Sequence, residues 1–410
     1  MALALCLAGV PLPALTLEAP APADPIATLV KQLELERYKA TIKGLTQFGD
    51  RRQGTERNRR ALDWIEAWLK ANGCMNTERL QYEYTEPTKR NPAPPQPARA
   101  GGPAGQGGST LFGQRAPTSV NTDPNAQPDE KLRALNAEPT PEGTSMRENV
   151  YCTKIGNTRP DEMYIVGAHM DGIGWGEAAN DNGSGTALVM ELARIFSQPG
   201  VETERSIRFI LWNNEETGLH GASAYVAQRR ELQGIESPKG SGKYPEPKWL
   251  GMVQHDMMMF DHGMPVMQRD AQGKPLLDAK GQPRYAPPRE QRAEADVNIE
   301  FQSTSKHAEG AAKLAWHFRA ANDKYATDYP AAVGFHMTNT DSVPFMDWAP
   351  AISLRENERG MQIGAGWNPH WHQPSDLFSS YSDKDFLLGL NAAQTTLAAI
   401  AELVGARVKR

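Results

Sequence analysis

Short apolar runs along the chain predict the strands of a central sheet. Thr77–Thr85 alternates in polarity with a period of two, and Asn149–Thr153 predicts a neighbouring strand. Three later runs are also short and rich in apolar residues: Tyr164–Ala168, Ile207–Trp212 and Leu250–Gln254. These runs are the candidate core of the fold.

Segments with apolar residues three or four positions apart predict the helices. Residues 26–71 have helical character, and a further helix follows the turn at Gly185. Ser305–Asn322 and Asp383–Val404 predict two more helices that flank the sheet. We therefore expect a three-layer α/β/α domain with a mostly parallel mixed central sheet, whose sites lie at the carboxyl ends of its strands.

Two segments interrupt this pattern. Residues 86–146 are rich in Pro, Gly, Ala and Gln and lack periodicity, so they bury too little apolar surface to offset chain entropy. We predict a largely disordered insertion there, with ordering as a lid as the less favoured alternative. Residues 263–295 contain the turn sequences Asp270–Gly273 and Asp278–Gly281, which predict a hairpin-like insertion.

Five residues with metal-binding side chains lie along the chain, most of them just past a strand-like run: His169, Asp181, Glu216, Asp256 and His372. Asp171 follows His169 by two positions, so the histidine can bind a metal ion while the carboxylate holds its other ring nitrogen. Asp181 lies in the glycine-rich turn Asn180–Gly185, which directs its carboxylate across a cleft.

Glu215 and Glu216 are adjacent carboxylates just past the run Ile207–Trp212. Adjacent side chains point in different directions, so the two can have different roles. One can ligate a metal ion, while the other takes a proton from metal-bound water and returns it to the leaving group. The pattern is typical of a two-metal hydrolase.

The same residues lie in five motifs. In chain order these are His-x-Asp, Asn-Asp-Asn-x-Ser-Gly, Glu-Glu-x-Gly, a strand-end Asp, and His-x-Pro-x-Asp. In these motifs the chain resembles the M28 family of zinc exopeptidases. The resemblance implies the phosphorylase/hydrolase-like zinc exopeptidase architecture, as one domain over residues 26–410 that includes the two insertions.

The resemblance also implies two Zn²⁺ ions per chain. Asp181 would bridge the two ions. His169 and Asp256 would complete one site, and Glu216 and His372 would complete the other.

Two catalytic residues follow from the same resemblance. Glu215 would be the general base that activates a metal-bridging water, and Asp171 would orient His169. The implied enzyme is a metalloaminopeptidase that hydrolyses the N-terminal residue from peptides with a free N-terminus. A cis peptide bond is implied between Asp181 and Asn182.

Three other interpretations stay open. A glutaminyl cyclase-like enzyme has a related fold with a single zinc and would not need His169. A carboxypeptidase of the same family keeps both metal ions but recognises a C-terminal carboxylate. Some relatives are non-catalytic binding modules, but those tend to lose ligands, and all five are present here.

Two histidines compete with the chosen ligands. His370 is close to His372, but only His372 is followed by Pro-x-Asp. His255 flanks Asp256 and should point to the opposite face of the sheet by strand alternation.

Other polar and apolar neighbours are weaker candidates. Met257–Phe260 favours core packing over a substrate pocket, and Arg355 favours a structural ion pair over a substrate contact. Two positions depart from the family pattern: Trp371 replaces a tyrosine found in some members, and Ser342 stands where a histidine is common.

Composition limits the partners. The chain has 410 residues and a formal net charge of −5, without a basic block, so nothing in it indicates nucleic acid or an anionic membrane surface. Residues 1–23 resemble a secretory signal without its basic region, and they are too short and proline-bounded to span a membrane. We expect an exported protein, periplasmic or secreted, although an apolar tail without a targeting role stays an alternative.

Cysteine usage agrees with export. If Cys6 is removed with the leader, Cys74 and Cys152 remain as an even pair, so one disulfide is possible. The oligomeric state and the preferred N-terminal residue are not fixed by the sequence.

Overall fold

Strands and helices alternate along the chain, and the computed structural model describes residues 24–87, 120–261, 267–279, 281–284, 297–337, 339–356 and 368–409. In this part of the chain the strands are β1 (Thr77–Thr85), β2 (Thr144–Lys154), β3 (Arg159–His169), β4 (Val201–Glu202), β5 (Arg205–Trp212), β6 (Lys248–His255), β7 (Val297–Phe301), β8 (Ala331–Gly334), β9 (Ala351–Glu356) and β10 (Arg407–Val408). The α-helices are α1 (Pro25–Val30), α2 (Leu35–Thr46), α3 (Glu56–Ala71), α4 (Glu130–Asn136), α5 (Gly183–Phe196), α6 (His220–Arg229), α7 (Ala308–Tyr325) and α8 (Asp383–Leu403).

One sheet of eight strands has the order β1-β2-β5-β3-β6-β9-β7-β8. The pairs β5–β3, β3–β6, β6–β9 and β7–β8 are parallel, and β1–β2, β2–β5 and β9–β7 are antiparallel. The predicted mixed, mostly parallel sheet is confirmed. His169 pairs with Trp212 and Ala168 with His255, so the carboxyl ends of β5, β3 and β6 lie level at one edge.

Side chains of β3 alternate between two apolar cores, which define the three layers. Val166 and Ala168 pack in the larger core, to which α2, α3, α5, α7 and α8 contribute. Met163 and Ile165 pack in the smaller core on the other face, with residues of α6 and with Phe345. The sheet is thus covered on both faces, as the three-layer expectation requires.

Helix α5 is more deeply buried than its apolar stripe alone would require. Leu188, Leu192 and Ile195 are fully buried, as their spacing predicts, but Glu191 is only 1% exposed as well. The Glu191 carboxylate is compensated by hydrogen bonds from Arg194 Nε at 2.8 Å and Thr41 Oγ1 at 2.9 Å. This helix therefore runs through the interior of the domain.

Helix α8 is the one described helix that is long and apolar enough to cross a membrane. Of its most apolar window, 78% is buried inside the fold, so the feature is weak evidence for a membrane span. Its start is fixed by a capping box in which Ser382 and Asp385 bond reciprocally.

Residues 120–146 are ordered, which corrects the prediction of a largely disordered insertion for this part of it. They contain the 3₁₀ turn Pro124–Ala126, all of α4 and the beginning of β2. Residues 88–119 lie outside the described residues, as do residues 1–23 with their signal-like sequence.

Polar contacts explain why composition misled the prediction for this segment. Gln127 and Asn136 are buried. Asn136 accepts a hydrogen bond from the Asp50 backbone N–H at 3.0 Å and donates to the Gly176 carbonyl at 2.8 Å. An estimate that counts only apolar burial overlooks such bonds to buried backbone groups.

A disulfide joins Cys74, just after α3, to Cys152 in β2. The two residues are 78 positions apart, so the covalent loop encloses the whole of the first insertion. The open possibility of this pair is therefore realised in the structure.

Candidate metal centre

The five candidate ligands meet at the level edge of the central strands. His169 is the last residue of β3, Asp256 directly follows β6, and Glu216 lies in the turn after β5. Asp181 precedes α5, and His372 lies in the segment that leads to α8. The edge is the one at which open α/β sheets place their sites.

His169 contacts two carboxylates. Its Nε2 is 3.3 Å from Asp256 Oδ1 and 3.4 Å from Asp181 Oδ1. All three residues are buried.

His372 faces the other oxygen of the same aspartate. Its Nε2 is 3.0 Å from Asp181 Oδ2 and 2.9 Å from Glu216 Oε2. Glu216 Oε1 is buried and has no hydrogen-bond partner among the described residues. The two oxygens of Asp181 thus face different histidines, which is what a ligand shared by two metal ions requires.

Burial and mutual repulsion make it costly to ionise the two glutamates. Burial, reinforced by the charges of Asp341 and Glu216 and opposed by His169, raises the pKa of Glu215 well above its usual value. The pKa of Glu216 is raised to about 7, mainly by burial and next by the charge of Asp181.

The histidines respond in the opposite way. Burial alone would lower the pKa of both rings, but the surrounding carboxylates outweigh it. They raise the pKa of His372 to about 11 and that of His169 well above its usual value. The cluster therefore favours bound positive charge.

The donor set fits zinc. Donor atoms of His169, Glu215 and Asp256 lie within 4.8 Å of one another, and so do those of His169, Asp181 and Glu216. Imidazole nitrogen and carboxylate oxygen are common zinc ligands, and buried carboxylates in such numbers need a cation to compensate them.

The Asp171 carboxylate was expected to hold the second ring nitrogen of His169. In the structure the backbone carbonyl of Asp171 holds that nitrogen instead. The His169 Nδ1–H donates to the Asp171 backbone carbonyl at 3.0 Å, whereas the nearest carboxylate oxygen is 3.9 Å away. That bond still leaves Nε2 free to ligate. The carboxylate reaches the neighbouring strand end instead, where it accepts from the backbone N–H groups of Glu215 at 3.1 Å and Glu216 at 3.4 Å.

The backbone of Asp181 is held by residues of two motifs. Asp376 accepts from the N–H of Asn180 at 2.9 Å and from that of Asp181 at 3.0 Å. Asn182 Nδ2 donates to the His255 carbonyl at 2.8 Å, which ties this turn to the end of β6. The peptide bond between Asp181 and Asn182 is cis, as the resemblance implied.

The competing histidines have other partners. His255 Nδ1 bonds the Gly167 carbonyl at 3.1 Å and Nε2 bonds Thr396 of α8 at 2.8 Å, on the opposite face as expected. Burial lowers the pKa of His255 to about 4, so the ring is neutral. His370 Nδ1 is 2.9 Å from Ser375 Oγ.

The other weaker candidates lie where packing and charge pairing place them. Met258 and Met259 belong to the larger core. Arg355 Nη2 is 3.7 Å from Asp256 Oδ2, an ion pair that supports a candidate ligand. The Trp371 ring stacks on that of His372 with their centroids 4.2 Å apart.

One buried acid near the centre was not predicted. Asp341 accepts from Gln254 Nε2 at 3.0 Å, and burial raises the pKa of its carboxyl well above the usual value. Its position beside Ser342, a residue already compared with the family pattern, was the one available signal. Ser342 Oγ is buried without a hydrogen-bond partner among the described residues.

The first insertion contacts the segment that carries His372, which no sequence pattern indicated. The N–H of Asn121 donates to the His372 carbonyl at 3.0 Å. Gln127 Nε2 donates to the carbonyls of Trp175 at 2.8 Å and Pro374 at 3.0 Å.

Two cavities lie beside the centre and share a wall. The smaller, of about 260 Å³, is lined by Glu216 and by residues 120–122. The larger, of about 950 Å³, is lined by residues 136–143. Arg52, Asn136, Trp175 and Thr217 line both, so the two form one cleft that leads to the metal centre.

The α/β/α fold carries a cluster of carboxylates and histidines suited to zinc at its strand ends. This combination is typical of the class of metal-dependent hydrolases. Within that class the chain belongs to Peptidase family M28, whose sequence model matches residues 149–391.

Individual relatives agree with this assignment. The chain is 45% identical over 74 residues to aminopeptidase YwaD of Bacillus subtilis, a match that covers 18% of this chain and 16% of that protein. The chain therefore covers well under two thirds of that relative's length.

Solved structures share the fold. A zinc aminopeptidase from Bacillus subtilis has a TM-score of 0.57 at 15% identity and covers 91% of this chain and 96% of its own. A Porphyromonas gingivalis glutaminyl cyclase has a TM-score of 0.51 at 16% identity, over 91% of this chain and 99% of its own. At these identities the likeness concerns the fold.

Proposed function

We propose that the protein is a zinc-dependent aminopeptidase that holds two Zn²⁺ ions. His169, Asp256 and Asp181 would hold one ion, and Asp181, Glu216 and His372 the other. The separate orientation of the two Asp181 oxygens supports this division.

One observation carries the proposal: the adjacent carboxylates Glu215 and Glu216 join different groups. Glu216 contacts His372, whereas Glu215 lies in the donor group of His169 and Asp256. The two adjacent carboxylates can therefore take different roles, Glu216 as a ligand beside His372 and Glu215 as a base beside His169 and Asp256.

Bound zinc would supply Lewis-acid chemistry, which polarises a scissile carbonyl and makes water easier to deprotonate. Glu215 takes the proton of the attacking water and returns it to the departing amine. Burial raises the pKa of Glu215, which makes its carboxylate a stronger base for this proton. Asp171 holds the backbone of this glutamate in place, and the negative cluster favours a substrate with a free α-amino group.

Substitution of the base tests the assignment. Glu215→Gln should retain zinc, measured by elemental analysis, and lose turnover by about 10²–10⁴-fold. Asp181→Ala should lose zinc. Glu83→Gln, which removes an exposed acid of β1, is the matched control for loss of one carboxylate. A fully active Glu215→Gln enzyme would overturn the proposal.

A peptide panel separates the alternatives. Zinc-loaded protein is incubated with peptides that carry free, acetylated or glutaminyl N-termini, and products are identified by mass. Loss of the first residue from free N-termini supports an aminopeptidase. Release from the C-terminus would favour a carboxypeptidase, and cyclisation of N-terminal Gln would favour a cyclase.

We also propose that the protein acts outside the cytoplasm. The Cys74–Cys152 disulfide supports this location, because such bonds persist in oxidising compartments. Cell fractionation with N-terminal sequencing of the recovered protein tests it. A full-length protein confined to the cytoplasm would contradict export.

A further inference from the structure

Arg52 lies where the two cavities of the cleft meet. It lines both the smaller cavity, which Glu216 also lines, and the larger cavity beyond. A substrate that reaches the metal centre through this cleft therefore passes Arg52.

The Arg52 side chain has neither a hydrogen bond nor an ion pair with the described residues, and its Nε is buried without a partner. Its neighbours differ. Arg51 donates to the carbonyls of Met170 at 2.8 Å and Ala178 at 2.8 Å, and Arg57 Nη2 is 2.7 Å from Asp50 Oδ1. Of these three arginines, only Arg52 keeps its donors available for a ligand.

Three acids that line the cleft already have partners: Glu86, Glu138, and Glu216, whose Oε2 is 2.9 Å from His372 Nε2. Glu86 accepts from Gln53 at 2.8 Å and lies 3.9 Å from Arg147. Glu138 accepts from the Arg57 backbone N–H at 2.9 Å. A guanidinium in such surroundings binds a planar carboxylate well, because two parallel N–H donors match its two oxygens.

Cavity size limits how far that carboxylate lies from the reacting carbonyl. A roughly spherical cavity of 260 Å³ is about 8 Å across, and an extended chain advances about 3.4 Å per residue. Since Arg52 and Glu216 line this same cavity, the carboxylate would lie within about two residues of the scissile bond.

We infer that Arg52 is a specificity-determining residue that recognises a substrate carboxylate close to the scissile bond. The inference rests on the proposed peptidase function and adds a substrate class to it. Two sources present this chemistry: the C-terminal carboxylate of a dipeptide, and an acidic side chain at the N-terminal residue.

Paired substrates distinguish the sources. Leu-Gly is compared with Leu-Gly-amide for the C-terminal carboxylate, and Glu-p-nitroanilide with Gln-p-nitroanilide for the acidic side chain. In at least one pair the wild-type kcat/KM should favour the acid by about tenfold, as expected for a charge-assisted pair. Ratios within about twofold of one in both pairs would refute the inference.

Variants assign the preference to Arg52. Arg52→Gln should reduce the acid-to-amide ratio to near one, and Arg52→Lys should retain part of it. Arg59→Gln, which removes a charge from the exposed part of α3, is the matched control and should leave the ratio unchanged. Thermal unfolding confirms that each variant is folded. An unchanged ratio in folded Arg52→Gln would overturn the assignment.

A binding measurement separates this inference from the peptidase proposal. Calorimetric titrations use zinc-loaded Glu215→Gln protein, with Leu-Gly against its amide and Glu-Gly-amide against Gln-Gly-amide. Tighter binding of an acid, lost on further Arg52→Gln substitution, supports recognition even if no peptide is cleaved. Equal binding of acid and amide in both pairs, or no binding at all, refutes it.

Discussion

The two insertions differ in what their polar groups contact. Residues 120–143 bond the segment that carries His372 and the backbone near Gly176. In the second insertion, residues 267–279 and 281–284 form two tight turns that bond each other, for example through the N–H of Gln268 and the carbonyl of Arg284. The first insertion is therefore part of the site, although its composition made it the weaker candidate for order.

Removal of the first insertion should have the largest effect. Glu86 N–H bonds the Gly143 carbonyl at 3.0 Å, directly beyond the paired residues Thr85 and Thr144. Replacement of residues 87–142 by Asn-Gly should therefore close an ordinary hairpin. We expect a folded protein by circular dichroism that binds less zinc and loses about 100-fold or more in kcat/KM.

The second insertion provides the comparison for this deletion. Residues 271–272 lie in one of its turns, and their replacement by Gly-Gly should leave zinc content and kcat/KM within about twofold. Wild-type activity in the first deletion, or a large loss in the second variant, would reverse the comparison.

Substitution of one glutamine in each insertion should also have unequal effects, smaller than those of the larger replacements. Gln127→Ala leaves the partly buried carbonyls of Trp175 and Pro374 without this donor. Its free energy of unfolding should fall by about 1–3 kcal/mol in chemical denaturation, with a higher KM. Gln272→Ala, the matched change at an exposed turn position, should stay within about 0.5 kcal/mol of wild type. Equal effects at the two sites would contradict the comparison.

Metal removal should loosen the first insertion selectively. The bond from Asn121 N–H to the His372 carbonyl joins the insertion to a candidate ligand. A chelator should therefore raise hydrogen exchange of peptides that cover residues 120–127, by about tenfold if local opening becomes easier by about 1.4 kcal/mol. Peptides from residues 267–284 should exchange at unchanged rates in mass spectrometry. A uniform change would show that metal stabilises the whole domain instead.

Local sequence explains which parts of the fold and site were accessible to prediction. Strands and helices with clear periodicity, such as β5 and α8, appear within a few residues of their predicted bounds. Candidate ligands such as Asp181 and Glu216 stand inside motifs whose neighbours shape the turn around them. Strand alternation was sufficient to direct His255 away from the centre.

Contacts between segments that are distant in the sequence could not be predicted. Gln127 and Pro374 are 247 positions apart, and neither residue type marks such a bond in advance. The Asp171 carboxylate was assigned to the wrong partner, because sequence proximity favoured His169 while the fold places the N–H groups of Glu215 and Glu216 within reach. Both cases concern hydrogen bonds to backbone groups, which side-chain patterns do not encode.

The disulfide between Cys74 and Cys152 also has a consequence for survival among other proteases. Any single cut between residues 75 and 151, including one in the first insertion, produces two fragments that remain covalently joined. Nicked protein would migrate as one band without reductant and as two with it. The enzyme can thus be clipped within this loop without its halves diffusing apart.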